Sequence, residues 1–446
     1  MLPFTLFTAR AGLAALGLRI RRQGIWNVVQ QHLHIKQKVR QHQPLDKLLD
    51  CFINLLAGGA GLIEINQLVR SDVALQRAFG RQTCAEQSTI SDTLNACTSD
   101  NVQQLRTAIQ IILQHQGQSY RHDYEAAWQV LDIDTTGLPA GRLGEGVTKG
   151  YFAGRKSCRG RQLGRVVATA YDELIVDQLY EGKRQLEHSL TQLVEMAEKA
   201  LNLGEKQRAR TVLRVDAGGG SDANINWMLT RGYFVLIKIH NWQRVRKLIG
   251  RVTDWCVDPD VPTREVGWVT QPYAYAQSTR QIALRKRKRN GKWIYQVLVF
   301  NLTDDMLYAL TASPPAAAGG AANLLFTALA AYDQRGGGAE TQNRGDKQGL
   351  HLAHRNKRRF VAQEMLVLLA QLAHNVLVWT RNDLARADEH FTHYGIARMM
   401  RDVLQIPGCV QFDERGRVIQ IMLQTTHPLA AKVQKVLVGA PGTDEM

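Results

Sequence analysis

The chain has 446 residues, 45% of them apolar and 22% charged, which excludes a wholly disordered or fibrous protein and leaves room for roughly two to four domains. Lys and Arg number 56 against 40 Asp and Glu, and the resulting net charge of +16 calls for a polyanionic partner, nucleic acid first and an anionic membrane surface second. Six cysteines with no CxxC pair exclude a zinc ribbon or a thioredoxin-type site and fit a reducing compartment. No window of about 18 residues is both free of charge and apolar enough to span a bilayer. Met1 to Ile20 comes nearest, but Arg10 and Arg19 interrupt it and no basic residue precedes its apolar part. A cytoplasmic, nucleoid-associated protein with no membrane partner is expected.

Residues 25 to about 118 read as helical, with apolar residues at helical spacing in Leu45–Leu56 and again in Asn101–Leu113. Between them, Glu86 to Leu94 follows a turn around Gly80 and has the form of the second helix of a helix-turn-helix. Gln87, Ser88, Thr89 and Ser91 would then face base edges and phosphates; a plain surface helix fits the same residues. At Val130 the period changes to two, so that Leu131 and Ile133 point one way and Asp132 and Asp134 the other. Arg165–Ala170 and Leu174–Leu179 continue an antiparallel meander. Residues 185–203 form an amphipathic helix stopped at Gly204. Strand Thr211–Val215, the loop from Asp216 to Gly220, a helix from about Ser221 to Thr230 and strand Tyr233–Ile239 make a βαβ unit with two parallel strands. Residues 240–310 turn β-rich, with runs at Glu265–Tyr275 and Lys292–Phe300 and an Asn290-Gly291 dipeptide that favours a type I′ hairpin. Leu324 to Asn382 is helical again, and the tail from about 405 is mixed.

Two acids end strands: Asp134, before Thr135-Thr136, and Asp216, before a run of glycines that leaves room for a phosphate backbone. Open α/β sheets present functional groups at the carboxyl ends of their strands. Two carboxylates there, with a third from a helix, would make an oxygen-rich site for Mg²⁺; the same positions suit turn and helix-capping aspartates. Glu340 and Lys347 are seven apart and share a helix face, with Arg344 between them, which a solvated Glu/Arg/Lys face would also produce.

In order and context, Leu131-Asp-Ile-Asp-Thr-Thr136, Leu213-Arg-Val-Asp216-Ala-Gly and Tyr332-x2-Arg335-x4-Glu340-x6-Lys347 resemble the DDE-type insertion-sequence transposases. The likeness is to the branch with a Tyr-Arg-Glu-Lys signature around the final acid, and it spans about residues 40–400. It implies an α/β fold: an RNase H-like mixed-sheet catalytic core interrupted by a β-rich insertion before the final Glu, with a helical N-terminal DNA-binding domain. On this chain the division would be 1–120 for the N-terminal domain, 121–240 for the first part of the core and 241–318 for the insertion. Residues 319–400 would carry the helical part of the core with the Glu, and 401–446 the C-terminal region. Relatives more often have three residues between the Arg and the Glu, where this chain has four.

The resemblance implies that Asp134, Asp216 and Glu340 are the catalytic acids and hold Mg²⁺, with Mn²⁺ able to substitute. Asp134 is preferred to Asp132 because the metal-binding acid of relatives directly precedes a small or hydroxyl residue; Asp222 is a weaker rival for Asp216. Tyr332, Arg335, Arg344 and Lys347 would grip DNA near the scissile bond. The expected reaction is cut-and-paste transposition: hydrolysis at the element end, then attack of the freed 3′-hydroxyl on target DNA, carried out by a dimer on double-stranded DNA. A nuclease without strand transfer and an inactive DNA-binding relative are the alternatives. Arg285, Lys286, Arg287, Lys288 and Arg289 beside the hairpin turn, and Arg355, Lys357 and Arg358 beyond Glu340, are further candidate DNA contacts. Trp242 and Trp268 are candidates, by location only, to stack a displaced base, with core packing the favoured reading of each. The glycine runs 218–220 and 336–338 are followed by no Gly-Lys-Ser/Thr, so no ATP use is expected.

Overall fold

The computed structural model describes residues 3–150, 152, 158–312 and 320–438. In chain order its strands are β1 (Phe4–Thr8), β2 (Gln129–Pro139), β3 (Thr148–Lys149), β4 (Arg159–Ala168), β5 (Glu173–Glu181), β6 (Thr211–Val215), β7 (Phe234–Lys238), β8 (Cys256–Val257), β9 (Arg264–Trp268), β10 (Arg280–Arg287), β11 (Trp293–Phe300), β12 (Gly408–Phe412) and β13 (Val418–Leu423). β5, β4 and β2 pair antiparallel, and β2, β6 and β7 pair parallel. The helix Leu190–Leu201 crosses from β5 to β6, and Asp222–Thr230 crosses from β6 to β7. That order, with those directions and crossovers, is an RNase H-like core.

The period-two patterning of the strands divides the sheet into two faces. Leu131, Ile133, Leu213, Val215, Val235 and Ile237 pack with the helix Leu190–Leu201 in one apolar cluster. Val212, Leu236, Leu298 and Phe300 belong to a second cluster, against Leu325, Leu329 and Tyr332 of the helix Gly320–Asp333. The helix Leu190–Leu201 stops earlier than Gly204: Asn202 takes the left-handed conformation (φ 53°), which an Asn tolerates.

The β-rich insertion is hydrogen-bonded to the core. β11 runs antiparallel along the otherwise open edge of β7, pairing Leu298 with Lys238 and Phe300 with Leu236, and β10, β9 and β8 extend a single ten-stranded sheet. Covering the β7 edge satisfies a row of backbone donors and acceptors that would otherwise template aggregation. Two local expectations change. The run Glu265–Tyr275 is a strand only to Trp268, short of Pro272, which has no N–H to give a ladder. At the β10–β11 hairpin only Gly291 has positive φ (77°), and its N–H closes on the Lys288 carbonyl at 2.9 Å. A type I′ turn needs positive φ at Asn290 as well, so the tip is a wider loop ending in a left-handed glycine.

Residues 1–120, expected to be helical, open with a strand. β1 pairs with β12 in a three-stranded sheet, Phe4 opposite Phe412. The helices Ala11–Arg22, Pro44–Leu56, Gln87–Ala96 and Ser99–Gln116 follow, and share one apolar core with Phe360–Ala387 and the C-terminal strands. Phe360–Ala387, not the N-terminus, comes nearest to a membrane span; 94% of its most apolar window is buried inside the protein, as a central core helix requires.

Candidate active site across three parallel strands

Backbone register builds the site. Ile133 lies opposite Val215 and Val215 opposite Ile237, so the next residues along β2, β6 and β7, namely Asp134, Asp216 and Lys238, form a row across three neighbouring strands; β6 and β7 end there, whereas β2, expected to end at Asp134, runs on beside β4 to Pro139. Ile133, Val215 and Ile237 face one apolar cluster, so the row faces the other side, where the helix Ala339–Gln348 brings Glu340. Asp216 also caps the turn that follows, accepting from the Gly218 N–H at 2.9 Å. The glycines after it serve packing more than open space: a Cβ on Gly220 would come within 1.8 Å of the Lys238 carbonyl oxygen.

The neighbouring acids separate by environment. Asp132 is fully buried and forms a forked pair with Arg214, at 2.5 and 2.9 Å; Arg214 also donates to the Ala331 carbonyl at 2.6 Å. This pair anchors both ends of the loop that precedes Glu340. Gly338 packs so closely on Asp132 that a Cβ there would sit 2.0 Å from its carboxylate. Asp134 instead lines a cavity, with its side chain 14% exposed. Burial, the nearby Asp216 and Glu340 push its carboxyl up to about 6 against the opposing pull of Arg335.

Arg335 is the hinge of the electrostatics. Its buried guanidinium lies 2.9 Å from Asp134 Oδ1 and 3.0 Å from Glu340 Oε1. It therefore bridges two of the three acids rather than standing free for a phosphate. Among the described residues no three His, Cys, Asp or Glu side chains are gathered closely enough to hold a metal ion. Arg335 stands between Asp134 and Glu340 and supplies the positive charge there.

A buried network, not anticipated from sequence, holds the Glu340 helix to the sheet. Arg165 on β4 is fully buried and pairs with Asp177 on β5 (2.7 Å) and with Asp346 on the helix (2.6 Å). Asp346 also receives His374 Nδ1 at 2.7 Å. Asn343 accepts from Arg165 at 3.3 Å and donates to Asp134 at 3.3 Å, connecting the network to the site.

Two cavities meet at Asp216. The larger, of 860 Å³, is lined by Asp134, Asp216, Arg184, His240, Lys347 and His354 among others. The smaller, of 370 Å³, is lined by Asp216, Lys238, Gln296, Tyr332, Arg335 and Glu340. Lys347 donates to Thr136 Oγ1 at 2.5 Å. Tyr332 is buried, with Lys238 Nζ 4.3 Å above its ring; burial pushes its hydroxyl above the ordinary tyrosine range. Arg344 is exposed on the same helix and lines neither cavity. Asp222, the rival of Asp216, pairs with Arg244.

The outlying basic residues sort by partner. Lys286, Arg287, Lys288 and Arg289 are exposed at the β10–β11 tip. Arg285 is not part of that patch: it pairs with Glu265 and lies between Trp255 (4.3 Å) and Trp293 (5.0 Å). Arg355 is a correction. It is 3% exposed and donates to the Leu350 and Gly59 carbonyls, so it fastens the interior and cannot reach DNA. Lys357 donates to Ser91 on the helix Gln87–Ala96, and Arg358 is exposed. On that same helix Ser88 is exposed, Gln87 and Thr89 are half-buried, and Thr89 bonds back to Glu86. Trp242 is 62% exposed, whereas Trp268 packs against Phe300. Lys238 was not singled out in the sequence. The available signal was a single Lys closing an otherwise apolar strand, level with two acids.

A family profile described as "Transposase DDE domain group 1" matches residues 6–439. No curated protein matches the chain. Among solved structures, a cryo-EM structure of a piggyBac transposase synaptic complex with hairpin DNA aligns at 12% identity with a TM-score of 0.46, over 88% of this chain and 79% of that one.

Proposed function

The chain belongs to the transposase DDE domain group 1 family, and from that premise we propose that it cleaves the ends of its own insertion sequence and joins them to target DNA by metal-dependent phosphodiester transfer. The observation that carries the reading is the in-register row of Asp134 and Asp216 on adjacent parallel strands, linked to Glu340 through Arg335.

The donor set suits a hard cation, since all three candidate ligands are carboxylates. Burial first, and the neighbouring Asp216 and Glu340 after it, push the Asp134 carboxyl up, and a bound cation would offset that push. Asp134, Asp216 and Glu340 would hold Mg²⁺ or Mn²⁺, which activates the attacking oxygen and stabilises the leaving one in phosphodiester chemistry. For the three acids to converge, Arg335 must release Asp134 and Glu340. Its planar fork then suits a phosphate oxygen pair beside the scissile bond. Lys347, held by Thr136, presents a point charge to the larger cavity. Asn343 keeps Asp134 oriented, and the Asp132–Arg214 pair sets where the Glu340 helix begins.

The test is a nicking and strand-transfer assay on DNA carrying the element end, with Mg²⁺ or EDTA. Nicking and joining are both expected with Mg²⁺ and neither with EDTA. Nicking without joining would leave a nuclease; end binding with no nicking in either metal would leave an inactive DNA-binding relative. Mg²⁺ at about ten times its Kd should also raise stability by about 1.4 kcal/mol, and this gain should vanish in Asp216→Ala.

Affinity for duplex DNA is expected to fall steeply with salt, each neutralised phosphate adding about −0.9 to the slope of log K against log salt. Replacing Lys286, Arg287, Lys288 and Arg289 with Gln should flatten that slope by roughly 1 for each phosphate no longer neutralised, whereas Arg355→Gln should leave it unchanged. Fluorescence anisotropy between low and moderate salt reads both; an unchanged slope in the hairpin variant would remove that tip from the DNA interface.

A further inference from the structure

We propose that Lys238 is a further active-site residue of this transposase, its ammonium binding a nonbridging oxygen of a DNA phosphate next to the scissile bond, in the cavity it shares with Asp216, Tyr332 and Glu340. The proposal rests on the strand-cleavage reading above and adds a substrate contact to it.

Position is the first argument. Lys238 is the third member of the row whose other members are Asp134 and Asp216, so strand pairing fixes its backbone relative to both acids. The backbone is pinned twice more: Leu298 of β11 pairs with it on one side, and Gly220 packs against its carbonyl on the other. A flexible side chain on so constrained a base delivers its charge to a small volume.

Missing partners are the second argument. Lys238 is half-buried, and among the described residues its side chain makes no hydrogen bond or ion pair; its ammonium lies over the Tyr332 ring. An ammonium carries three donors and no acceptor, and leaving it desolvated without an anion is costly. Burial accordingly pulls it down to about 8, with Asp333 and Asp216 pulling upward and Arg335 and Arg264 downward. Its cavity is open, lined also by Gln296, and Asp216 joins it to the larger cleft. A phosphate there would give the ammonium its anion and place negative charge beside the acids. The competing role is packing alone, with Lys238 serving as a lid on the Tyr332 ring.

The experiment is single-turnover cleavage of end DNA in which one phosphate at a time near the scissile bond is an uncharged methylphosphonate, combined with Lys238→Met and Lys238→Arg. The expected result is a loss of roughly 10²-fold in Lys238→Met, largely recovered in Lys238→Arg. At one phosphate, the methylphosphonate should slow the wild type but slow Lys238→Met no further, the signature of a shared interaction. Thermal unfolding checks that both variants are folded; should Lys238→Met fail to fold, Lys238→Gln takes its place in the same cycle. Cleavage by Lys238→Met within about threefold of wild type overturns the proposal, as do losses that multiply at every phosphate position. A wild-type protein that cleaves no end DNA overturns the transposase reading and this proposal together, whereas active wild type with indifferent Lys238 variants overturns this proposal alone.

Discussion

Asp134→Asn is expected to slow cleavage of end DNA by on the order of 10³-fold, since a lost metal ligand removes several kcal/mol of transition-state stabilisation. The fold should lose less: Asp134 is a desolvated, crowded carboxylate, and Arg335, which pairs with it, keeps Glu340 as a counter-ion. Asp132→Ala, two residues away, should behave in the opposite manner. It strands the Arg214 guanidinium in the interior without a counter-ion and should cost about 3–5 kcal/mol of stability. It also frees the loop before Glu340, so activity should fall with it, but together with a lowered denaturation midpoint. Single-turnover cleavage and urea unfolding of both variants separate the cases. Normal cleavage by Asp134→Asn would show that the catalytic acid has been misassigned.

The second large effect is at Arg165. Its two carboxylate partners, Asp177 and Asp346, are as buried as it is. Arg165→Met fills much of the volume but removes the one cation between them. Asp177 is already pushed up to about 6 with Arg165 in place, so without it one or both acids must take up a proton or bear the cost of being charged in the interior. A loss of about 3–5 kcal/mol is expected by denaturant unfolding. Adding Asp177→Asn should recover part of it, because a neutral amide asks for no counter-charge. A loss under about 1 kcal/mol would mean that this triad is not what fastens the Glu340 helix to the sheet.

What could be read along the chain was what is encoded within a few residues. The period-two run at Val130–Asp134 placed Asp132 and Asp134 on the face away from the helix Leu190–Leu201, and Thr211–Val215 begins and ends where the apolar run does. Asp216 does follow a strand end, but β2 runs on past Asp134 to Pro139, because Thr135 to Pro139 stay paired with β4, a partner far along the chain. Long-range partners were not legible. Nothing near Arg335 indicates that it reaches Asp134 across some 200 residues, and so it read as a phosphate ligand. Arg355 sits in a strongly basic run that reads as surface, yet it turns inward because the Gly59 and Leu350 carbonyls need a donor. Lys238 lacked any local motif; only the register with β6 shows that it stands beside Asp216. The Asn-Gly signal located the β10–β11 hairpin but not its turn geometry, which the loop length decided.

The pairing of β1 with β12 places Phe4 against Phe412, and this imposes an order on synthesis. The first strand leaves the ribosome with no neighbour to pair with, and roughly 400 residues must follow before one exists. At about 5–20 residues per second that is roughly 20–80 s of waiting. During that interval the helix Ala11–Arg22, whose buried face is completed by the late segment around Met399–Leu404 and by β13, lacks part of its core. The N-terminal helices therefore reach their final packing only after residues 399–423 have been made, and a chain released before that point leaves their apolar face uncovered.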